Sequence, residues 1–538
     1  MKKTLKKTGL GALCLLLFGA CKPNEKKTTE NSDTEYDFSI TVEKTTKANA
    51  PALQSFAHWT DGNNWFLFAG RTNQKDDNGG IHMINGDTSD YSVQSFPPPS
   101  FNTEMILYNY AQDAILFRLS IDDFLVKLEG VIKQEENREE LEAILPNIRT
   151  AVTSLRSTNP LVAQDGDYLY LVGGYGTDLD SASEYNPNNY QTFNTVIRLH
   201  IPSIRAVVMD DAQIDWSNFF RYGTNNSLRS TGGELHIING NLYLCGGHNY
   251  GKYAKNGQEY VNAVFPFTVS NSPGTLIGLD IQVGSPISDM PNQLGTHAAD
   301  SLSTFRRRDG PIVPILIQDT TTSPVSYVEG VAFYGGVFKF NARAAWNDAI
   351  YITPDLNSGT TNALSKYVPD TEYDQNNYNV YSCPDFGVVS PGKDGVLRVH
   401  TFLPGGIGDG SDDGNLSGFT DSHVQAILNT KTLKSTPLTT NSGTFGQTNY
   451  FYGAEASFMP VKGDSVKYFN ASTGETDFID AEETFKGGVT QVTVGYIYGG
   501  IVAFQKSPGK AKNKGFGPDY SAASNTIWKV TLHATPKS

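Results

Sequence analysis

Cysteine is scarce in this chain: four residues in 538, at positions 14, 21, 245 and 383. So few cannot build a disulfide framework, which excludes the small stapled folds of secreted mini-domains. Basic charge is also in deficit, with 42 Lys and Arg against 56 Asp and Glu. Nucleic-acid binders need the opposite balance, so that partner class is excluded. Long apolar runs are missing. Leu10–Phe18 is the only strongly apolar stretch, and nine residues cannot span a bilayer as a helix. The nine histidines are scattered, with no His-Glu-x-x-His spacing for a catalytic metal. No Gly-x-Ser-x-Gly elbow and no phosphate-cradling Gly-Lys loop occurs.

The N-terminus has a clear processing pattern. Lys2, Lys3, Lys6 and Lys7 precede the short apolar stretch, and Gly19-Ala20-Cys21 follows it. This order resembles a bacterial lipoprotein signal peptide, departing from it only in Phe18, where Leu is usual. The resemblance implies a leader over 1–20, cleavage before Cys21 and lipidation of Cys21; an ordinary secretory cleavage site is the plainer alternative. Without the four leader lysines the balance is 38 against 56, near −18, so acyl chains rather than charge would hold the chain to a membrane. Lys22 stands where an inner-membrane retention signal has Asp, which favours the bacterial outer membrane. Residues 22–37, KPNEKKTTENSDTEYD, are too polar to bury a core. We assign 21–37 as a flexible tether and 38–538 as the globular part. Cys245 and Cys383 remain, either paired or as separate buried thiols; their strand-like surroundings favour the second.

One stretch is written twice. SLRSTNPLVAQDGDYLYLVGG (154–174) aligns without a gap to SLRSTGGELHIINGNLYLCGG (227–247), 73 residues later. Each copy reads as a hairpin, with Asp-Gly or Asn-Gly between alternating apolar runs and a closing Gly-Gly. A third strand follows each copy, NTVIRLHIP and NAVFPFTVS. An Arg near the start, a turn, an apolar strand ending in Gly-Gly and a later third strand resemble a kelch repeat. Weaker copies follow the same order. ALQSFAHWTDGNNWFLFAGR with GGIHMINGDTSDYSVQSFPPP reads as a first blade, with Ala69-Gly70 for the double glycine. RRRDGPIVPILI with GVAFYGGVFKF reads as a fourth, and FGVVSPGKDGVLRVHTFLPGG with SHVQAILNTKTLKS as a fifth. YGAEASFMPV, TVGYIYGGIVAFQ and NTIWKVTLHA read as a sixth. The resemblance implies an all-β fold, a kelch-type β-propeller of six blades, with seven as the alternative count. Closure into a ring is the physical solution, because a single four-stranded blade cannot bury both faces.

Residues 118–147 break the rhythm. Ile121, Leu125, Leu128 and Ile132, then Leu141 and Leu145, recur at helical spacing. Ser120 with Asp123 forms a capping pattern. A helical insertion between blades one and two is expected, capping an edge or docking a partner.

Function is read from the loops and channel. Long loops after the second strands carry Tyr175, Tyr185 and Tyr190, and then His248, Tyr250, Tyr253 and Tyr260. Aromatics with Asn on a rigid scaffold suit a glycan or a protein partner. Arg156 and Arg229 share one repeat position, and Arg306, Arg307 and Arg308 lead similarly into blade four. We take Arg156, Arg229 and Arg308 as candidates for a carboxylate site at the channel mouth. The resemblance also implies the alternative that such arginines bond blade to blade. DGSDDGNLSGFTD (409–421) resembles a calcium loop through Asp409, Ser411, Asp413 and, one place late, Asp421. Thr420 stands where Glu is required, so a solvated loop fits better; no cofactor is expected, and calcium is the alternative. The resulting expectation is a lipid-anchored envelope or surface protein that binds a glycan, a peptide or an envelope partner. The alternative implied by the kelch resemblance is a carbohydrate-active enzyme, like the copper oxidases or sialic-acid mutarotases built on such blades. For the second, Glu234 beside a channel-mouth Arg would be the acid.

Overall fold

The computed structural model describes residues 35–537, apart from 73–99, 178–188, 210–212, 343, 359, 376–381, 409–417, 441–442, 447–449, 472–473 and 504–520. Six antiparallel four-strand blades form a β-propeller. From the innermost strand outward, blade 1 is Ala57–Thr60, Asn64–Phe68, Glu104–Asn109 and Ala114–Ser120. Blade 2 is Leu161–Asp165, Tyr168–Val172, Thr195–His200 and Phe220–Thr224. Blade 3 is Glu234–Ile238, Asn241–Cys245, Val264–Asn271 and Leu279–Val283. Blade 4 is Ile312–Asp319, Ser326–Phe333, Ala349–Asp355 and Thr360–Asp370, and blade 5 is Phe386–Pro391, Leu397–Pro404, His423–Asn429 and Lys434–Thr440. Blade 6 takes three strands from the C-terminal part, Ala456–Pro460, Gln491–Gly499 and Ile527–Pro536.

The fourth strand of blade 6 comes from the other end of the chain. Tyr36–Lys44 pairs antiparallel with Ile527–Pro536 over nine consecutive positions, from Tyr36 opposite Pro536 to Lys44 opposite Trp528. This locks the ring by joining its two ends in one sheet. Phe38 and Val42 point into the core there, beside Val530 and Leu532.

The five Gly-Gly pairs and Ala69-Gly70 end equivalent strands. Ala69-Gly70, Gly173-Gly174, Gly246-Gly247, Gly335-Gly336, Gly405-Gly406 and Gly499-Gly500 all have positive φ. In five of the six pairs the second residue turns its N–H toward the next blade: Gly70 to the Ser157 carbonyl (2.7 Å), Gly174 to Ser230 (2.9 Å), Gly247 to Arg307 (2.9 Å), Gly406 to Tyr452 (3.3 Å) and Gly500 to Leu53 (2.9 Å). The repeat therefore ends in glycine because the backbone must both bend and touch its neighbour.

Two insertions decorate the ring. Helix α1 (Ile121–Ile132) starts on Ser120, whose Oγ accepts the Asp123 N–H at 3.0 Å, as the capping pattern requires. Helix α2 (Arg138–Val152) runs five residues past the expected end. Both pack with a third helix, α3 (Ile201–Met209), on the apolar wedge between blades 1 and 2, where Phe124, Leu128 and Ile148 meet Leu199 and Phe219. The second insertion was not legible in the sequence. Tyr468–Ala471 and Gly474–Asp480 form a hairpin within the connection between the first two strands of blade 6. Its second strand pairs in parallel with the innermost strand of blade 5, Val388 opposite Ile479.

For blade 1, the outer strands are Glu104–Asn109 and Ala114–Ser120; the run 79–99, read from the sequence as part of this blade, lies outside the described residues. Cys245 and Cys383 are both free thiols, the first buried and the second half-buried.

Candidate functional site

Chain direction divides the propeller into two faces. Turns joining first to second and third to fourth strands lie on one face, and most are tight: Asp165 to Tyr168, Ile238 to Asn241, Asn429 to Lys434. Connections from second to third strands lie on the other face and are long in every blade, from Phe68 to Glu104 and from Gly499 to Ile527 at the extreme. We call this second face the crown. Three two-stranded ribbons stand on it: Tyr175–Thr177 with Tyr190–Thr192, His248–Tyr250 with Gln258–Tyr260, and Ile501–Ala503 with Ser521–Ala523. The first two join across blades through the Gln191–Gly251 bridge and the bond from the Tyr250 N–H to Thr192 Oγ1 at 2.8 Å. Phe101, Tyr175 and Tyr190 are packed beneath them, with Tyr250 at the edge.

Below the crown the channel is narrowed by a ring. One residue from each blade, just before its innermost strand, donates its backbone N–H to the previous blade's equivalent. Asn159 donates to Ser55 (3.0 Å), Gly232 to Asn159 (3.2 Å), Asp309 to Gly232 (2.7 Å), Ser382 to Asp309 (2.6 Å), Glu455 to Ser382 (2.8 Å) and Ser55 to Glu455 (3.2 Å). All six residues are in the left-handed region, φ 49° to 66°. Backbones joined this way sit about 5 Å apart. In a hexagon the radius equals the side, so once an atomic radius of about 1.7 Å is subtracted the backbone leaves an opening of about 6–7 Å, which the ring side chains narrow further.

The ring side chains tie the blades together a second time. The Glu455 carboxylate accepts from Ser55 Oγ (2.6 Å), Asn159 Nδ2 (2.8 Å) and Ser382 Oγ (3.0 Å), drawing blades 1, 2 and 5 onto blade 6. In its better amide orientation Gln54 donates to Ser55 Oγ and accepts from the buried Arg71 at 2.6 and 2.7 Å. Glu234 and Asp385 lie two and three residues beyond the ring, away from the crown.

These acids share one field. Glu234 is exposed at the start of the innermost strand of blade 3, yet the protein packed around it desolvates its carboxyl and raises it to about 8, and the charges of Asp385, Glu455 and Asp309 add to the shift. Burial likewise lifts Asp385 to about 7. It lifts Asp309 to about 6 against the pull of its ion-pair partner Arg308. Histidines that are buried (His248, His400) or half-buried (His58, His236, His423) move the opposite way. Burial lowers His58, His236 and His423 to about 4 and His400 to about 3, and it holds His248 well below its usual value.

The two groups predict a stability maximum near pH 7. Above the ordinary carboxylate range the folded chain holds protons on Asp309, Asp385 and Glu234 that the unfolded chain has released. Stability therefore falls as pH rises toward 8. Below the usual imidazole value of about 6.5 the unfolded chain protonates five histidines that the folded chain keeps neutral, so stability also falls as pH drops. Melting temperatures across pH 5–9 at constant ionic strength should peak near neutrality. Glu234→Gln should flatten the alkaline side; an unchanged alkaline slope would refute the assignment.

The arginines expected at the channel mouth are engaged separately. Arg156, 8% exposed, is paired with Asp122 in the first turn of α1. Arg229 donates to the Thr192 carbonyl and lies 4.4 Å from the centre of the Tyr253 ring. Arg308 pairs with Asp309 and reaches Tyr260 Oη at 3.3 Å. Counted from the ring, the counterpart of Arg156 and Arg229 is Arg306, three residues before Asp309. Arg306 stacks on Tyr260 at 3.8 Å, while Arg308 adjoins the ring itself.

The loop tyrosines divide by burial. Tyr175 is buried and Tyr250 half-buried, holding the ribbons together, whereas Tyr253 is 52% exposed. Lys252 lies over the Tyr253 ring at 5.4 Å. Cys21, Asp409, Ser411 and Asp413 lie outside the described residues. Asp421 is described: its side chain accepts the Gly443 N–H at 3.3 Å and its carbonyl accepts that of Thr444. Among the described residues no three His, Cys, Asp or Glu gather to hold a metal, and no helix is long and apolar enough to cross a membrane.

Sequence reasoning missed the ring. Its one trace was the alignment of Asn159 with Gly232, two residue types that accept a left-handed backbone. No family model matches the sequence, and no curated protein matches it.

Proposed function

We propose that this chain is a lipid-anchored kelch-type propeller of the bacterial outer membrane. It binds a glycan, a peptide or another envelope protein on its crown. The observation that carries the reading is the asymmetry of the two faces. One is mostly tight turns, with long connections only in blade 2 (201–219) and blade 6 (461–490), and the other carries a long second-to-third connection in every blade, three ordered ribbons and an exposed Tyr253 flanked by Arg229 and Lys252. An aromatic face held rigid by cations offers contact area at little ordering cost, and its CH-binding surface suits sugars as well as side chains. The Arg at the start of each strong repeat and the Gly-Gly at its end support the kelch reading; Cys21 after a basic, apolar leader supports the anchor.

The carbohydrate-active alternative rests on Glu234, a carboxylic acid that keeps its proton at neutral pH in the neighbourhood of Asp309 and Arg308. The ring counts against it only in part, since it narrows the approach to Glu234 from the crown.

The test is capture. Wild-type protein and Tyr253→Ala are each used to pull partners from native envelope and to probe a glycan array. Losing an exposed aromatic anchor should weaken the captured ligand about tenfold and leave the melting temperature unchanged. Equal capture by both proteins, or turnover of an arrayed sugar, would overturn the reading.

A further inference from the structure

We propose that the propeller stands on the lipid surface with its turn face down, so that the crown points away from the membrane. This rests on the anchor reading above and adds an orientation to it. The described chain leaves the fold at Tyr36, the first residue of the outermost strand of blade 6. Tyr36 lies opposite Pro536, at the end of the third strand, and third strands run from the crown to the turn face. Both ends of the described chain therefore emerge from the turn face, at the rim. The exit point is clamped: Lys537 binds the Glu35 carboxylate at 3.0 Å and the Asp37 carboxylate at 3.1 Å, and its N–H donates to the Glu35 carbonyl.

Length decides the rest. Fourteen residues separate Cys21 from Tyr36. A random coil of that length has a typical end-to-end distance of about 20 Å. To put the crown on the bilayer, the tether would have to climb the outer edge of blade 6. Ile527–Pro536 alone is ten residues, about 33 Å of strand, with the crown ribbons beyond it. That demands nearly full extension, about 50 Å, and forfeits the conformational freedom of the whole segment. With the turn face down no such extension is required, and every ribbon and Tyr253 face outward, where a ligand in solution or on another protein is met.

The experiment uses full-length acylated protein purified from membranes and placed in phosphatidylcholine vesicles containing headgroup spin-labelled lipid. In a Cys383→Ser background, an environment-sensitive dye is attached at one of three exposed positions. Lys431→Cys and Asp167→Cys lie on the turn face in blades 5 and 2, and Lys255→Cys lies on the crown. Strong quenching at 431 and 167, with quenching at 255 no greater than for the same protein in vesicles without attachment, supports the proposal. Quenching at 255 equal to or above the other two overturns the orientation alone. The Cys21→Ser chain should stay in the supernatant with no quenching at any position. If it sediments with the vesicles as the parent does, the anchor reading falls and the proposal falls with it.

Discussion

Gly247→Val is expected to destabilise the propeller by about 3–5 kcal/mol. Gly247 has φ +88°, where a β-branched residue is strained. A Cβ there would also lie 2.2 Å from Ser230 Oγ, 2.8 Å from the Thr231 carbonyl and 2.9 Å from the Gly233 nitrogen. Two of those three atoms are backbone, and that backbone leads directly into the ring at Gly232. Gly174 is equivalent in sequence but less confined. Its nearest contacts are all side-chain atoms: Ser157 Oγ at 2.3 Å, which can rotate away, Ser157 Cβ at 3.0 Å and Pro160 Cβ at 3.3 Å. Gly174→Val should therefore cost less than Gly247→Val. Gly240 separates strain from contact, since its φ is +73° but an added Cβ meets nothing within 4 Å. Gly240→Ala should cost only about 1 kcal/mol. Urea and thermal melts of the three variants test the order. Equal melting of Gly247→Val and Gly240→Ala would show that the double glycine is not a contact between repeats.

Deleting Tyr36–Lys44 should have the larger consequence of opening the ring. The nine-position ladder to Ile527–Pro536 disappears, and Phe38 and Val42 leave the core, each worth about 1.5–3 kcal/mol of burial. The exposed edge of Ile527–Pro536 then becomes a template for pairing between chains. The expected result is loss of the cooperative melt, with aggregation followed by light scattering and sedimentation. A monomeric variant with the parent melting temperature would show that the N-terminal strand is an accessory.

Legibility in the sequence followed the range of the forces involved. The strands of blades 2 and 3 were readable because alternation and an Asn-Gly or Asp-Gly turn are local, and the gapless repeat doubled the signal. The Gly-Gly pairs were readable as strand ends, although the inter-blade hydrogen bond that requires the second glycine was not. Ser120 and Asp123 announced α1 because a cap lies within one turn. The tyrosines were identified as a group, but nothing local distinguished Tyr253, which is exposed, from Tyr175, which is packed under the ribbons. The arginines show the same limit. Three consecutive residues, 306 to 308, leave the repeat register open by two places, and only the ring assigns Arg306 to the position of Arg156 and Arg229.

By itself, then, the sequence determined the all-β class, the repeat, the turns between inner strands and the presence of a helical insertion. Each of these depends on periodicity and torsion preferences among residues close in the chain. Tertiary structure decided the closure of blade 6 by Tyr36–Lys44, the parallel hairpin on blade 5 and the ring of Ser55, Asn159, Gly232, Asp309, Ser382 and Glu455. Those six residues have no common side-chain chemistry. They share a backbone position, and only closing the circle brings each N–H within reach of the carbonyl one blade away.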